Sequence, residues 1–248
     1  MCVSTGGLVH GAGCAACVFW PKLASTSQLT AASPEIIDSR PKLRAKYRSI
    51  PKRTLVSLQL AKLYFRFAAM NAGKSTSLLQ VAHNYEERGQ SVDLYNAQVD
   101  DRYGVGNVTS RLGVTREAAT FTADTDFAAI YAAKPAPSCI LIDEAQFLSE
   151  SQVTQLHRLA HTSSTPVICY GLRSDFQGQP FPGSKALLTL ADDLEEMKTI
   201  CRCGRKATMN VRLDAAGNRV TEGAQVEIGG NARYEAVCAR RFYTGHCK

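Results

Sequence analysis

From Lys62 onward the chain alternates short apolar runs with polar stretches of helical period. Lys62-Leu-Tyr-Phe-Arg-Phe-Ala68 is dense in aromatic residues and predicts a strand. Met70-Asn-Ala-Gly-Lys-Ser75 reads as a turn. Ser75 to Arg88 places Leu78, Leu79, Ala82 and Tyr85 on one helical face, and Gly89 is placed to end that helix. Ser91 to Ala97 predicts a second strand. Cys139-Ile-Leu-Ile-Asp143 and Pro166-Val-Ile-Cys-Tyr-Gly171 are continuous apolar runs, as expected of strands covered on both faces. Between them, Ser149-Glu-Ser-Gln152 carries the capping-box pattern and opens a helix running to about Ala160. Strands alternating with helices predict a mostly parallel sheet with helices on both faces and ligands at the carboxyl ends of its strands.

The texture changes at about Met197. Lys198 to Cys238 alternates short β-like runs with turns such as Asp214-Ala-Ala-Gly-Asn218 and Gly229-Gly-Asn231, which predicts a small lobe too poor in core to stand without a staple. Residues 1–60 show no sustained periodicity. The expected organisation is therefore an N-terminal extension over 1–60, an α/β domain over 61–196 and a β-rich lobe over 197–248.

The formal charge of +7 alters the picture only when it is divided along the chain. Residues 1–60 hold 8 Lys/Arg against 2 acidic residues, whereas 61–248 hold 21 against 20. The ordered part is nearly neutral, which argues against a groove that tracks a nucleic-acid backbone. No window is long and apolar enough for a membrane-spanning helix. The acid-poor extension fits an organelle transit peptide, a basic tail, or sequence upstream of a translation start near Leu60. Nine cysteines is too sparse a set for a secreted disulfide scaffold, so a reducing cytoplasm is expected. Cys139 and Cys169 read as buried reduced thiols. Cys14-Ala-Ala-Cys17 has metal-ligand spacing but no second pair nearby.

Candidate chemistry begins at Ala68-Ala69-Met70-Asn71-Ala72-Gly73-Lys74-Ser75. This run matches the phosphate-loop pattern G-x-x-x-x-G-K-[ST], with Ala68 in place of the first glycine. It sits between a predicted strand and a predicted helix, where backbone N–H groups can cradle phosphate oxygens. Lys74 would neutralise the β- and γ-phosphates, and the Ser75 hydroxyl would ligate Mg²⁺. About 70 residues on, the strand ending in Asp143-Glu144 delivers two adjacent carboxylates. An Asp there can hold the magnesium shell, which leaves the next carboxylate to act as a base.

These residues resemble the type II thymidine kinase family, especially its bacterial members. The resemblance runs from Lys62 to about Tyr243 and is carried by LYFRFAAMNAGKST, VDDRYG, DEAQF, CYGLRSDFQGQPF, KTICRCGRKA and IGGNARYEAVC. It implies ATP and thymidine as substrates and Glu144 as the general base on the thymidine 5′-hydroxyl. Asp143, Ala145 and Gln146 complete the nucleotide-contacting stretch, and Arg102 holds transferring phosphate charge. It further implies a nucleoside pocket of Phe147, Leu172, Phe176 and Phe181. Over that pocket a lasso loop at Gly229–Tyr234 brings Tyr234 against the substrate. A homotetramer and inhibition by the end-product triphosphate are implied by the resemblance alone.

The same resemblance places a structural Zn²⁺ on Cys201, Cys203 and Cys238. Structural sites take four ligands. The expected fourth position is Arg241, which cannot coordinate zinc, so His246 or Cys247 is the alternative. The expectation is thus an ATP:thymidine 5′-phosphotransferase with Mg²⁺ and structural Zn²⁺. The rival from another class is a nucleic-acid-binding P-loop ATPase with a zinc ribbon. That would be expected to carry a second recombinase-like domain, for which no length remains. A non-catalytic nucleotide-binding regulator would lack Lys74 or Glu144, and both are present.

Overall fold

The structure, a computed structural model, describes residues 61–100, 106–226 and 233–246. In chain order its elements are β1 (Leu63–Ala68), α1 (Lys74–Glu86), β2 (Val92–Ala97), β3 (Asn107–Thr109), β4 (Thr115–Glu117), β5 (Ala119–Phe121), α2 (Phe127–Ala133) and β6 (Cys139–Ile142). A single 3₁₀ turn (Ala145–Phe147) leads to α3 (Glu150–Ser163), β7 (Val167–Leu172), α4 (Pro182–Leu190) and β8 (Asp193–Glu196). β9 (Met209–Leu213), β10 (Arg219–Val220), β11 (Tyr234–Val237) and α5 (Ala239–Thr244) complete it. The extension over 1–60, with Cys2, Cys14 and Cys17, lies outside the described residues. So do Arg102, the Gly229–Ala232 part of the expected lasso, and Cys247.

Six strands form one sheet in the order β5-β2-β6-β7-β1-β8, and every neighbouring pair is parallel. The apolar runs are continuous because both faces of the sheet are covered. In β6, Ile140 and Ile142 join the core built with Phe127, Val153, Leu156 and Leu187 of α2, α3 and α4. Cys139 and Leu141 point the other way and meet Leu78, Leu79 and Ala82 of α1. All four strand residues are fully buried, and the two-residue period of a strand assigns them alternately to the two faces. Burying one such aliphatic side chain contributes roughly 1.5–3 kcal/mol. This central strand therefore ends at a fixed point in a rigid frame.

The capping box at Ser149 forms as the spacing predicts. Ser149 Oγ accepts from the Gln152 N–H at 3.2 Å, and Gln152 Oε1 accepts from the Ser149 N–H at 2.9 Å. Gln152 Nε2 also donates to Thr122 O at 2.7 Å, which ties α3 to the loop between β5 and α2. The hydrophobic pattern did not predict β8. Its sequence Asp-Leu-Glu-Glu has no apolar alternation, and it is an edge strand held by pairing with β1.

A second sheet is antiparallel, of order β10-β9-β11. Its core is small: Ala69, Cys201, Ala207, Val211, Ala236, Val237, Cys238 and Phe242. Several side-chain contacts join it to the larger domain, among them those of Asn210 and Arg173. Asn210 on β9 accepts from the Met70 N–H at 2.8 Å and donates to Ser174 O at 3.3 Å. Arg173 donates to Thr208 O at 3.2 Å. Among the described residues no helix is long and apolar enough to cross a membrane.

Candidate active site

The carboxyl ends of β1, β6 and β7 lie side by side because these three strands are neighbours in a parallel sheet. β1 ends in the phosphate loop, β6 in Asp143, and β7 in Leu172. Within the loop Asn71 (φ +63°) and Gly73 (φ +76°) both adopt the left-handed conformation. Glycine takes that conformation without steric cost, and asparagine tolerates it better than most residues. The two turns bring the chain sharply into α1, whose first residue is Lys74. Lys74 Nζ donates to Ala69 O at 3.3 Å, so its ammonium lies back across the loop it follows.

Ser75 Oγ donates to Asp143 Oδ2 at 2.8 Å, and the Glu144 N–H donates to Asp143 Oδ1 at 3.0 Å. The hydroxyl and carboxylate expected to share a magnesium ion are therefore already adjacent. Asp143 is 3 % exposed. Burial, and then the neighbouring Glu144 charge, push its carboxyl up to about 7 against the stabilising bond from Ser75. A carboxylate so placed gains strongly from a nearby cation, and the oxygen donor set suits Mg²⁺.

Glu144 itself is in the left-handed region (φ +50°), a rare conformation for a residue with a side chain and one that recurs at functional sites. Gln146 braces its side chain. Gln146 Nε2 donates to Glu144 Oε2 at 2.6 Å, and Gln146 Oε1 accepts from the Leu172 N–H at 3.0 Å. The buried Gln146 thus links the end of β7 to the second carboxylate. From behind, the α4 amino end presses on the 3₁₀ turn at Gly183. A Cβ there would lie 2.6 Å from both Ala145 O and Leu148 O. Nothing in the sequence singled out Gly183.

These elements surround a cavity of about 200 Å³. Met70 to Ser75, Asp143, Glu144 and Gln146 line one part of it, and Phe147, Leu172, Phe176, Phe181 and Tyr234 line another. The fold therefore brings all five expected pocket residues to the phosphate loop. The Phe147 and Phe181 rings meet edge to face, with centroids 6.0 Å apart. Ala68 and Ala69 are buried at the strand end, outside the lining, as is Ala145. Asn96, Arg111, Asp175, Asn210 and Gln225 line the cavity without having been expected. Gln225 Nε2 donates to Asp175 Oδ2 at 2.8 Å. These residues come from five separate segments, and no local motif marks them.

The three lobe cysteines also converge. The sulfurs of Cys201, Cys203 and Cys238 all lie within 4.8 Å of one another, and Cys203 Sγ to Cys238 Sγ is 3.7 Å. Zn–S bonds of about 2.3 Å in a tetrahedron place sulfurs about 3.8 Å apart, so the donor set fits zinc. Among the described residues no fourth Cys, His, Asp or Glu joins the cluster. His246 is exposed, with its backbone N–H and carbonyl both bonded to Thr244. Arg241 pairs with Glu235 at 2.6 Å and hydrogen-bonds Cys201, so its cation lies against the thiol group instead of coordinating a metal. Cys139 and Cys169 are buried free thiols, and burial pushes Cys139 up to about 12.

A phosphate loop and a strand-borne acidic pair that share one cavity with aromatic side chains define the class: an α/β protein of the P-loop type. Sequence comparison narrows this. The thymidine kinase family model matches residues 61–243. The thymidine kinase of Chromobacterium violaceum is 62% identical over 184 residues, covering 74% of this chain and 99% of that protein. Those of Albidiferax ferrireducens and Agrobacterium fabrum are 61% and 53% identical, each over 74% of this chain and over 93% and 96% of their own lengths. The chain belongs to the thymidine kinase family.

Proposed function

We propose that this chain transfers the γ-phosphoryl group of ATP to the 5′-hydroxyl of thymidine, in deoxynucleoside salvage. The observation that carries the mechanism is the adjacency of Ser75 and Asp143 at 2.8 Å, with Glu144 next in sequence and facing the same cavity. Met70 to Lys74 would cradle the ATP phosphates at the amino end of α1. Ser75 and Asp143 would hold Mg²⁺, which neutralises charge on the β- and γ-phosphates when bound. Glu144 accepts the proton of the 5′-hydroxyl as that oxygen forms its bond to Pγ and the bond from Pγ to the β-bridging oxygen breaks. ADP and thymidine monophosphate result. Gln146 holds Glu144 in place, because proton transfer requires the base within hydrogen-bond reach of the attacking oxygen. Phe147, Phe176, Phe181, Leu172 and Tyr234 would bind the nucleoside, and Arg102 would steady the transferring phosphate.

In this reading residues 61–196 carry the chemistry, and 197–248 form a lobe stapled by zinc on Cys201, Cys203 and Cys238. The homotetramer and the cytoplasmic location belong to the same proposal. The test is phosphate transfer from labelled ATP to a panel of deoxynucleosides, with and without single-stranded DNA. Labelled thymidine monophosphate is the expected product. DNA-stimulated ATP hydrolysis without transfer to any nucleoside would overturn the assignment.

A further inference from the structure

A second group of metal-ligating side chains lies away from the site described above. His157 and His161 are four residues apart on α3, so they project from one face, one turn apart. Their rings meet edge to face with centroids 4.7 Å apart. Asp192, between α4 and β8, completes the group. Its Oδ2 lies 3.0 Å from His161 Nε2, and its Oδ1 lies 3.9 Å from His157 Nε2. One ligand atom from each residue falls within 4.8 Å of the other two.

We propose that His157, His161 and Asp192 bind one divalent first-row transition metal ion of the zinc type. Ligands about 2.0–2.1 Å from a tetrahedral ion lie about 3.4 Å apart, and the two His–Asp distances bracket that value. Two imidazoles with one carboxylate favour Zn²⁺, Co²⁺ or Ni²⁺ over the all-oxygen shells of Mg²⁺ and Ca²⁺. All three side chains are a quarter to a third exposed, so an ion can enter from solvent.

The carboxylate is also held from behind. Asp192 Oδ2 accepts the Leu63 N–H at 2.8 Å, and the Asp192 N–H donates to Leu63 O at 2.9 Å. Such a second contact orients a ligand before the metal arrives. It also fixes what the metal would do. Leu63 opens β1, and the phosphate loop lies beyond the other end of that strand, about 17 Å away at the usual rise per residue. An ion here would clamp α3 to the entry of β1 and the start of β8. It would stabilise the sheet without touching the chemistry, and the inference does not depend on the thymidine kinase reaction.

The test titrates with Co²⁺ the full-length protein loaded with one equivalent of zinc per chain and freed of all other metal, so that the cysteine group is filled and the histidine group is not. One further equivalent should bind with the visible bands of nitrogen and oxygen ligation and no sulfur-to-cobalt charge-transfer band. Its binding should raise the melting temperature. His157→Ala leaves the His161–Asp192 pair intact, so the fold is retained, and affinity should fall at least roughly tenfold. His161→Ala should do the same, whereas His83→Ala should bind as wild type does. If cobalt binds only with a sulfur charge-transfer band, or binds equally to wild type and to both His→Ala variants, the site does not exist.

Discussion

The carboxyl ends of the parallel strands and the cysteine lobe both hold reactive groups at fixed spacing, but by opposite means. Asp143 stands at the end of a strand whose four residues are wholly buried between helices on both faces. Its position is a by-product of the core. The cysteines stand in a lobe with eight buried residues in its cluster, against eighteen and nine in the two clusters flanking the main sheet. Two of those eight are the cysteines themselves. In the first region the frame places the chemistry. In the second, a metal would supply the frame, because so small a core leaves little free energy to offset the entropy of ordering the chain.

The contrast is tested most severely at its two centres. Glu144→Gln removes only the proton acceptor, so kcat should fall by roughly 10²–10⁴ with ATP affinity nearly unchanged. Steady-state kinetics beside nucleotide titration would show it, and a near-wild-type kcat would take Glu144 out of the base role. Cys201→Ser should do the reverse of a catalytic lesion. We expect bound zinc, measured by metal analysis, to disappear and the melting temperature to drop, as it should also with a strong chelator. Ending the chain after Tyr243 should weaken the metal more mildly if Cys247 supplies the fourth ligand. Zinc-free protein of unaltered stability would erase the distinction between the two regions.

Smaller effects probe how each region is supported. Gly183→Ala forces a methyl group to within 2.6 Å of two carbonyl oxygens behind the Glu144 turn. Overpacking of this kind costs about 1–3 kcal/mol, and it should lower kcat because the base moves with the turn. Denaturant unfolding and kinetics on one sample would separate the two losses. Asn210→Ala cuts the bond from the lobe to the Met70 N–H, leaving a part-buried donor unpaired. A cost of about 1–3 kcal/mol is expected, with KM for ATP rising more than kcat falls. An unchanged KM would mean that the lobe does not steady the phosphate loop.

The smallest effect is a pH slope. Burial, and then the Glu144 charge, push the Asp143 carboxyl up to about 7 in the folded chain from an ordinary 3.8. Between those values the folded state binds the extra proton, so this group's contribution to stability falls as pH rises through that window. In magnesium-free buffer Asp143→Asn should flatten that part of the stability profile. An identical slope in the variant would show that Asp143 is not the group responsible.

The sequence alone determined the elements whose signal is local. Apolar runs at β1, β6 and β7, the Ser149 capping box and the Gly-Lys-Ser turn each depend on neighbours within a few residues, and each formed as expected. The aromatic pocket was legible through a family resemblance spread over many motifs. Tertiary structure decided the rest. β8 is a strand because β1 offers it backbone partners, not because its own side chains ask for burial. Asn210 reaches Met70 across 140 residues of chain. Gly183 matters because α4 packs against a turn that begins 38 residues earlier. His157, His161 and Asp192 meet because α3 packs beside the junction of β1 and β8. Such contacts leave no periodic trace: packing brings together residues from segments that each satisfy a separate local rule.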